Sequence, residues 1–281
     1  MNKMREVYSV SDSRAIGVFD SGLGGLTVVK ELCRFLPNED IVYFGDTGRV
    51  PYGTRSRETI RKYALQDENF LINKNVKLII AACGTVSSVA SDTASLLPVP
   101  FFEVVSHAAR SAVKATKNGK IGVIGTAATV KSGEHERQIK ALLPSAEVTA
   151  VGCSLFVPLV EEGWYSEDDV VVFETVKRYL KPIKENGCDT LILGCTHYPV
   201  LEKVIKKVLG DEVSLINAGT STSQTVKEYL CENDMLNSKT DIGIHSFYVS
   251  DKADSFRTQA SILLGEEIDE TKVSQVDLGN L

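Results

Sequence analysis

Two stretches of the chain, Leu78-Ile79-Ile80-Ala81-Ala82-Cys83-Gly84-Thr85 and Leu191-Ile192-Leu193-Gly194-Cys195-Thr196, share an apolar run that ends in a cysteine and a threonine. The two cysteines lie 112 positions apart, and a fainter echo relates residues 16–21 to residues 121–126 at an offset of 105. Two similar offsets predict two α/β halves of like topology. Each half would carry one cysteine at the carboxyl end of a parallel strand, where ligands bind in open α/β sheets.

Short β-branched runs predict further strands of the same kind, at 15–19, 40–44, 78–82, 120–124, 190–193 and 213–216. They are apolar at nearly every position, as in strands that are covered on both faces. Helices are predicted at 25–36, 56–73, 102–117, 133–143, 166–187, 200–209 and 221–230, with Ser56 and Ser166 at helix starts. The alternation predicts an α/β fold in which each half is a mostly parallel sheet flanked by helices.

The length of 281 residues suits two domains in one chain. From the repeat, we expect a first α/β domain at 1–106 plus 220–281 and a second at 107–219. The segment 221–281 is expected to pack back on the first half. The active site would then lie in the cleft between the two domains.

Composition and charge exclude several classes of protein. The net charge of −6 is spread along the chain, and no stripe of Lys and Arg is present that could bind nucleic acid. Residues 1–14 lack the apolar core of a signal peptide, and no apolar run is long enough to cross a bilayer. We therefore expect a cytoplasmic protein with neither a nucleic acid nor a membrane as partner.

Six cysteines stand at 33, 83, 153, 188, 195 and 231, without a CxxC pair or a regular framework. This spacing indicates neither a zinc site nor a disulfide scaffold. In a reducing compartment the six residues are expected to be free thiols. Most free cysteines are small buried apolar residues, so the local sequence has to separate reactive from structural ones.

Cys83 and Cys195 stand out because both follow a buried strand and precede a predicted helix start. The helix dipole at such a position is expected to lower a thiol pKa below its free value of about 8.5, so that either thiol could act as a base. His197 lies two residues after Cys195 and can exchange a proton with it. A thiol hydrolase is an alternative, although a second equivalent thiol has no role in simple acyl transfer.

Three other segments carry polar groups at strand ends or turns. Residues 18–25 place Asp20 before a glycine-rich turn whose G-x-G-G spacing does not match the dinucleotide fingerprint. Asp20 could cap a helix, orient a thiol or hold a substrate ammonium group. Residues 45–53 offer backbone donors and a tyrosine, and residues 156–163 end in adjacent carboxylates. Taken alone, each of the last two segments is more often structural than catalytic.

The strings at 18–25, 51–53, 82–85, 158–163 and 193–198, in this order and with these spacings, closely resemble glutamate racemases over nearly the whole chain. The resemblance implies a two-domain α/β enzyme that needs no pyridoxal phosphate, metal or nucleotide. It also implies interconversion of L- and D-glutamate for bacterial peptidoglycan synthesis. Glutamate racemases often form homodimers, so a homodimer is among the implied assemblies.

The same resemblance implies roles for individual residues. Cys83 and Cys195 match the paired acid and base, with Asp20 and His197 assisting the thiols and Glu161 as a further nearby carboxylate. The residues implied to bind the amino acid, largely through hydroxyl and backbone N–H groups, are Asp20, Ser21, Tyr52, Gly53, Gly84, Thr85, Thr196 and His197.

Gly84 departs from the family, which usually has Asn after the first cysteine. A hydrogen bond from that amide to a charged group is worth about 1.5–3 kcal/mol, so its loss is expected to weaken substrate binding. His135, near where the family often has an aromatic residue, is a smaller departure. Racemisation of aspartate or another acidic amino acid therefore stays an alternative, as does a non-catalytic amino acid binding protein of the same fold.

Overall fold

The computed structural model of the chain describes residues 11–265 and 267–277. Within these ranges, ten strands form two sheets in which all neighbouring strands are parallel. In chain order the strands are β1 (Ile16–Asp20), β2 (Ile41–Gly45), β3 (Leu78–Ala81), β4 (Phe101–Glu103), β5 (Lys120–Gly125), β6 (Glu147–Gly152), β7 (Thr190–Leu193), β8 (Ser214–Asn217), β9 (His245–Val249) and β10 (Val273–Gln275).

The first sheet has the strand order β10-β9-β2-β1-β3-β4, and the second has the order β6-β5-β7-β8. The second sheet therefore repeats the arrangement β2-β1-β3-β4 of the first, with β5 in the place of β1 and β7 in the place of β3. Both sequence echoes fall on these equivalent strands. The predicted fold class, two similar α/β halves with parallel sheets, is confirmed.

Helices connect the strands and cover the faces of both sheets. They are α1 (Leu26–Phe35), α2 (Arg57–Asn73), α3 (Gly84–Val89), α4 (Val104–Ala115), α5 (Ala127–Ser132), α6 (Glu134–Leu142), α7 (Phe156–Glu161), α8 (Val170–Glu185), α9 (Glu202–Leu209), α10 (Ala218–Glu232) and α11 (Ala253–Leu264). Short 3-10 helices lie at Tyr52–Thr54, Ser91–Leu96, Tyr198–Leu201 and Glu270–Lys272. Every residue of β1, β3 and β7 is buried, as expected for strands with helices on both faces.

Two predicted helix starts can be compared with the structure. Ser56 caps α2, because its side chain accepts a hydrogen bond from the backbone N–H of Thr59, at 3.3 Å. The predicted start at Ser166 is wrong: α8 begins at Val170, and the carboxylate of Asp169 caps it by accepting from the N–H groups of the next helical residues. An aspartate in an extended conformation just before the helix is the stronger cap here.

The structure also corrects several strand predictions. The predicted helix at 102–117 is wrong at its start, because Phe101–Glu103 pair with β3 and the helix begins only at Val104. Three further strands, β6, β9 and β10, were not predicted. All three are only partly buried, so they lack the continuous apolar pattern that revealed the central strands.

Among the described residues, one of three hydrophobic clusters contains residues of both halves. Ala108 and Ala112 of α4 belong to the same buried cluster as Val18 of the first sheet and Ile192 of the second. Strand β9 pairs with β2, so the chain returns to the first sheet after completing the second. This first cluster packs the two halves against each other.

Some predictions fall outside the described residues. These are the parts of the N-terminal and C-terminal predictions that concern residues 1–10, 266 and 278–281. Within the described residues, no helix is long and apolar enough to span a bilayer.

Candidate active site

The carboxyl ends of the two sheets enclose a cavity of about 260 Å³ that contains both predicted thiols. Cys83 follows β3 and directly precedes α3, and Cys195 lies two residues beyond the end of β7. A wider groove of about 920 Å³ runs along α8, and neither thiol lines it. The cavity between the sheets is therefore the candidate active site.

Most of the predicted site residues line this cavity. From the first half these are Ser21, Tyr52, Gly53, Cys83, Gly84 and Thr85, and from the second half Glu161, Cys195, Thr196 and His197. Asp20 lies just behind the wall and is completely buried. Its carboxylate accepts hydrogen bonds from the N–H of Gly22, at 3.0 Å, and from the hydroxyl of Thr196, at 3.4 Å.

Cys83 is buried, and its thiol donates to the hydroxyl of Ser21 at 3.5 Å. Burial, together with the nearby negative charge of Asp20, raises the pKa of Cys83 to about 12. The prediction that the helix start lowers this pKa is therefore wrong for Cys83. The short helix α3 cannot offset the loss of water around the sulfur. Cys83 is a protonated thiol at neutral pH, which suits an acid.

Cys195 has a different environment, because His197 and Glu161 form a chain of contacts behind it. The Sγ atom of Cys195 lies 3.9 Å from Nδ1 of His197, and Nε2 of the same ring lies 3.1 Å from Oε1 of Glu161. Burial by itself disfavours the imidazolium, but the hydrogen bonds to Cys195 and Glu161 outweigh burial and raise the pKa of His197 to about 10. The ring is therefore positively charged at neutral pH and stabilises a thiolate on Cys195.

The glycine-rich turn after Asp20 brings the two halves into contact at this point. A Cβ atom at Gly24 would lie 2.2 Å from the hydroxyl oxygen of Thr196 and 2.6 Å from Nδ1 of His197. Only glycine permits this approach. The turn thus belongs to the active site through its backbone, and its spacing differs from the G-x-G-x-x-G of dinucleotide-binding turns.

Tyr52 lines the cavity, but its hydroxyl points away from it. The hydroxyl contacts the carboxylates of Asp46, at a very short distance, and Asp67, at 3.0 Å. Tyr52 can therefore offer a ligand only its ring and its backbone, whereas the resemblance implied binding largely through hydroxyls and N–H groups.

Several cavity residues were not predicted, notably Thr126, Cys153, Ser154 and Val157. The repeat could have revealed Thr126, because it stands in the second half where Ser21 stands in the first. Its hydroxyl lies 3.2 Å from that of Thr85 across the cleft. Cys153 carries no comparable signal in the sequence. Burial raises the pKa of its thiol, which contacts the carbonyl oxygen of Val151 at 3.7 Å.

The presence of glycine at position 84 has a steric reason that the sequence did not show. A Cβ atom at this position would lie 2.3 Å from the carbonyl oxygen of Gly194 in the opposite half. Real Cβ atoms do not approach a backbone oxygen so closely, so any side chain here requires the two halves to shift. In this chain, Gly84 allows the residue after one thiol to touch the residue before the other.

We expect Gly84→Ala to lower kcat/KM for glutamate about tenfold, because small displacements of reacting groups are costly and overpacking is strained. Gly84→Asn, which restores the usual family residue, should meet the same obstacle and not strengthen binding. Steady-state racemisation kinetics measure both effects. Gly152→Ala is the control, since its Cβ would meet nothing closer than 3.7 Å. Wild-type kinetics for Gly84→Ala would show that the close contact is dispensable.

His135 lies outside the cavity, beside Gly194. Atoms of its ring come within 3.3 Å of the position that a Gly194 Cβ would occupy. Burial lowers the pKa of His135 to about 4, so the ring is neutral. It supports the backbone before Cys195 and makes no contact with the cavity.

Among the described residues, no group of three or more His, Cys, Asp or Glu side chains is arranged to hold a metal ion. The chemistry that the cavity offers is proton transfer between two thiols. The fold and the site thus define a class of enzyme, in which each of two α/β halves presents one thiol to the same cavity. The model of the Asp/Glu/Hydantoin racemase family matches residues 20–224. The chain belongs to this family.

Individual relatives agree with this assignment and confirm the resemblance. The glutamate racemase of Geobacter metallireducens is 43% identical over 266 residues, which cover 94% of this chain and 97% of that protein. The crystal structure of the Francisella tularensis glutamate racemase, in complex with D-glutamate, matches with a TM-score of 0.88 at 40% identity, covering 96% of this chain and 100% of that one. The RacE1 glutamate racemase of Bacillus anthracis matches with a TM-score of 0.90 at 37% identity, covering 96% and 99%.

Proposed function

We propose that this chain interconverts L- and D-glutamate without a cofactor and thereby supplies D-glutamate for peptidoglycan synthesis. The observation that carries the proposal is the pair of thiols, Cys83 and Cys195, at equivalent strand ends on the two sides of one cavity. Racemisation needs a base on one face of the α-carbon and an acid on the other. The relatives named glutamate racemases support glutamate as the substrate.

The two thiols differ in their surroundings, which suggests how the first proton moves. Cys195 lies beside a positively charged His197 and is the base, whereas the pKa of Cys83, raised to about 12 by burial and by Asp20, makes it the acid. Cys195 takes the α-proton and Cys83 returns its own proton to the opposite face. In the reverse direction the roles exchange, so that Cys83 as thiolate removes the proton and Cys195 returns one.

The carbanionic transition state needs stabilisation, since it has no conjugated ring to receive the electrons. Hydrogen-bond donors aimed at the α-carboxylate can supply it in a site from which water is excluded. Donors at the cavity wall are the hydroxyls of Ser21 and Thr85 and the backbone around Gly53 and Gly84. Asp20, which is completely buried behind this wall, is placed to orient Thr196 and to balance the substrate ammonium group.

Three further assignments belong to the proposal. The domain division into 1–106 plus 220–281 and 107–219 is supported by the strands that each sheet contains. A cytoplasmic location is supported by the free thiols of Cys83, Cys153, Cys188, Cys195 and Cys231, which a reducing compartment preserves. A homodimer is supported by large apolar side chains that are exposed on the second half, among them Trp164, Val170 and Val171.

The proposal is tested with purified protein and no added cofactor, incubated with L-glutamate in deuterated water. We expect the optical rotation to fall to zero while one deuterium enters the α-position of each racemised molecule. L-Aspartate, treated in the same way, should react far more slowly. Racemisation of aspartate instead of glutamate would assign the substrate to the alternative, and no exchange on either would overturn the proposal in favour of a binding role.

A further inference from the structure

Behind the cavity wall at residues 50–54, four side chains form a buried cluster, which we call the wall cluster: Asp46, Arg49, Tyr52 and Asp67. The side chains of Asp46 and Asp67 are completely buried, and Tyr52 is 1% exposed. Arg49 donates to Asp46 at 2.5 Å and to Asp67 at 3.0 Å. The hydroxyl of Tyr52 contacts both carboxylates. None of the four side chains has a role in the proton transfer described above.

The contacts of the wall cluster cannot all be made if both carboxylates are ionised. Tyr52 has one hydroxyl proton and can donate it to only one of the two carboxylates. The other carboxylate would then face the lone pairs of the phenol oxygen. In addition, two carboxylates against one guanidinium would leave a net negative charge in a buried place, which is strongly unfavourable. One additional proton removes both problems.

The contacts also indicate which carboxylate carries this proton. Asp46 receives three donors, namely Arg49, the Tyr52 hydroxyl and the hydroxyl of Ser250 at 2.7 Å, which together favour a charged carboxylate. One oxygen of Asp67 accepts a hydrogen bond from Arg49, and its other oxygen lies 3.0 Å from the hydroxyl oxygen of Tyr52. Burial, with Asp46 nearby, raises the pKa of Asp67 well above its ordinary value. A protonated Asp67 can donate to Tyr52, while Tyr52 donates to Asp46.

We infer that Asp67 is a protonated carboxylic acid and that it is a positioning residue, which acts through Tyr52 to hold the cavity wall at 50–54 in place for the amino acid. The inference rests on the proposed function, because that function supplies the amino acid that the wall contacts. Side chains of α2 and of the segment after β9 contact the wall cluster and hold it in place. Arg49 lies over the ring of Tyr63 on α2, at 4.0 Å, and bonds to Gln66, while Ser250 after β9 holds both Asp46 and the N–H of Gly48.

Two matched substitutions separate this protonation pattern from a merely structural role. In Asp67→Asn, the amide oxygen can still accept from Arg49 and the amide N–H₂ can donate to Tyr52, as the protonated acid does. In Asp46→Asn, the N–H₂ group faces Arg49 and Tyr52 in one orientation and the hydroxyl of Ser250 in the other, so that either two donors oppose it or Ser250 gives up the hydrogen bond that it donates. The same chemical change should therefore be tolerated at one position and harmful at the other.

The experiment measures glutamate kinetics and calorimetric glutamate binding for wild type, Asp67→Asn, Asp46→Asn and Asp67→Leu. We expect KM and Kd to stay within about threefold of wild type in Asp67→Asn and to rise about tenfold or more in the other two, with a smaller change in kcat. Infrared spectra of protein labelled with ¹³C-aspartate supply an independent signature. The carbonyl band of a protonated aspartic acid should be present in wild type and should be weaker in Asp67→Asn.

Equal losses in Asp67→Asn and Asp46→Asn, or an unchanged carbonyl band in Asp67→Asn, would overturn the assignment of the proton. Unchanged KM and Kd in Asp46→Asn and Asp67→Leu would overturn the positioning role. If the wild type bound glutamate without racemising it, the proposed function would fail, while the binding and infrared comparisons would still decide this inference.

Discussion

Replacing either Cys83 or Cys195 by alanine is expected to lower racemisation of glutamate by about a thousandfold or more, because each change removes an acid and a base that the reaction uses in turn. The two enantiomers have equal free energies in water, so kcat/KM must fall by the same factor in both directions. Each variant keeps one thiol, however. It should still exchange the α-proton of one enantiomer with solvent deuterium without inverting the carbon, which ¹H NMR in deuterated water detects.

Cys231→Ala and Cys188→Ala are the matched controls, because Cys231 is exposed and Cys188 does not line the cavity. Both should racemise glutamate at close to the wild-type rate. If Cys83→Ala or Cys195→Ala inverted glutamate at a rate near that of these controls, the two-thiol mechanism would be wrong. If both enantiomers exchanged deuterium in both variants, one thiol would be serving both faces, which the placement of the two residues on separate halves forbids.

His197→Asn is expected to lower kcat/KM about a hundredfold, because the amide can keep a hydrogen bond but cannot carry the positive charge that stabilises a thiolate on Cys195. Steady-state kinetics near pH 8 measure this loss. Glu161→Gln, which removes the carboxylate 3.1 Å from Nε2, should cause a smaller loss of the same kind. A fully active His197→Asn would mean that the imidazolium is a spectator.

The positive charge of His197 should also make the folding stability depend on pH. Because the pKa of His197 rises from its ordinary value of 6.5 to about 10 in the folded protein, the folded state holds one more proton than the unfolded state between these values. The stabilisation is complete below about pH 6.5 and is lost as the pH rises towards 10. In urea unfolding, the difference in stability between wild type and His197→Asn should therefore shrink with rising pH.

His107→Asn is the control for this measurement, because burial lowers the pKa of His107 to about 4 and leaves that ring neutral throughout the same window. Its effect on stability should not change between pH 7 and pH 9.5. A constant difference for His197→Asn across the window would contradict a raised pKa at His197.

The parts of the fold that the sequence revealed are those where local pattern and tertiary environment agree. Strands β1, β3 and β7 are buried on both faces, so their composition alone marks them. Strand β9 is half-buried and lies beside β2 only because the chain returns from a distance of about two hundred residues. No local signal encodes such a partner, and for this reason the strand was not predicted.

The site was predictable to a similar degree and for a similar reason. Cys83 and Cys195 could be recognised because the repeat gives each an equivalent. The protonation state of Cys83 could not, because it depends on burial in a cluster of residues from several elements and on Asp20, 63 positions earlier in the chain. Asp67 gives no signal at all, since a carboxylate within a predicted helix is usually solvent-exposed.

The equivalence of β1-β3 with β5-β7 has a consequence for how one chain handles mirror-image molecules. Two copies of the same supersecondary unit each place a thiol after the equivalent strand, so that the cavity has one thiol from each half. The copies differ where the molecule itself has no symmetry: Asp20 ends one unit where Gly125 ends the other, and His197 accompanies only one thiol. The duplicated fold thus offers an equivalent proton donor and acceptor from either half, while the few residues that differ between the halves are left to recognise the other groups on the α-carbon.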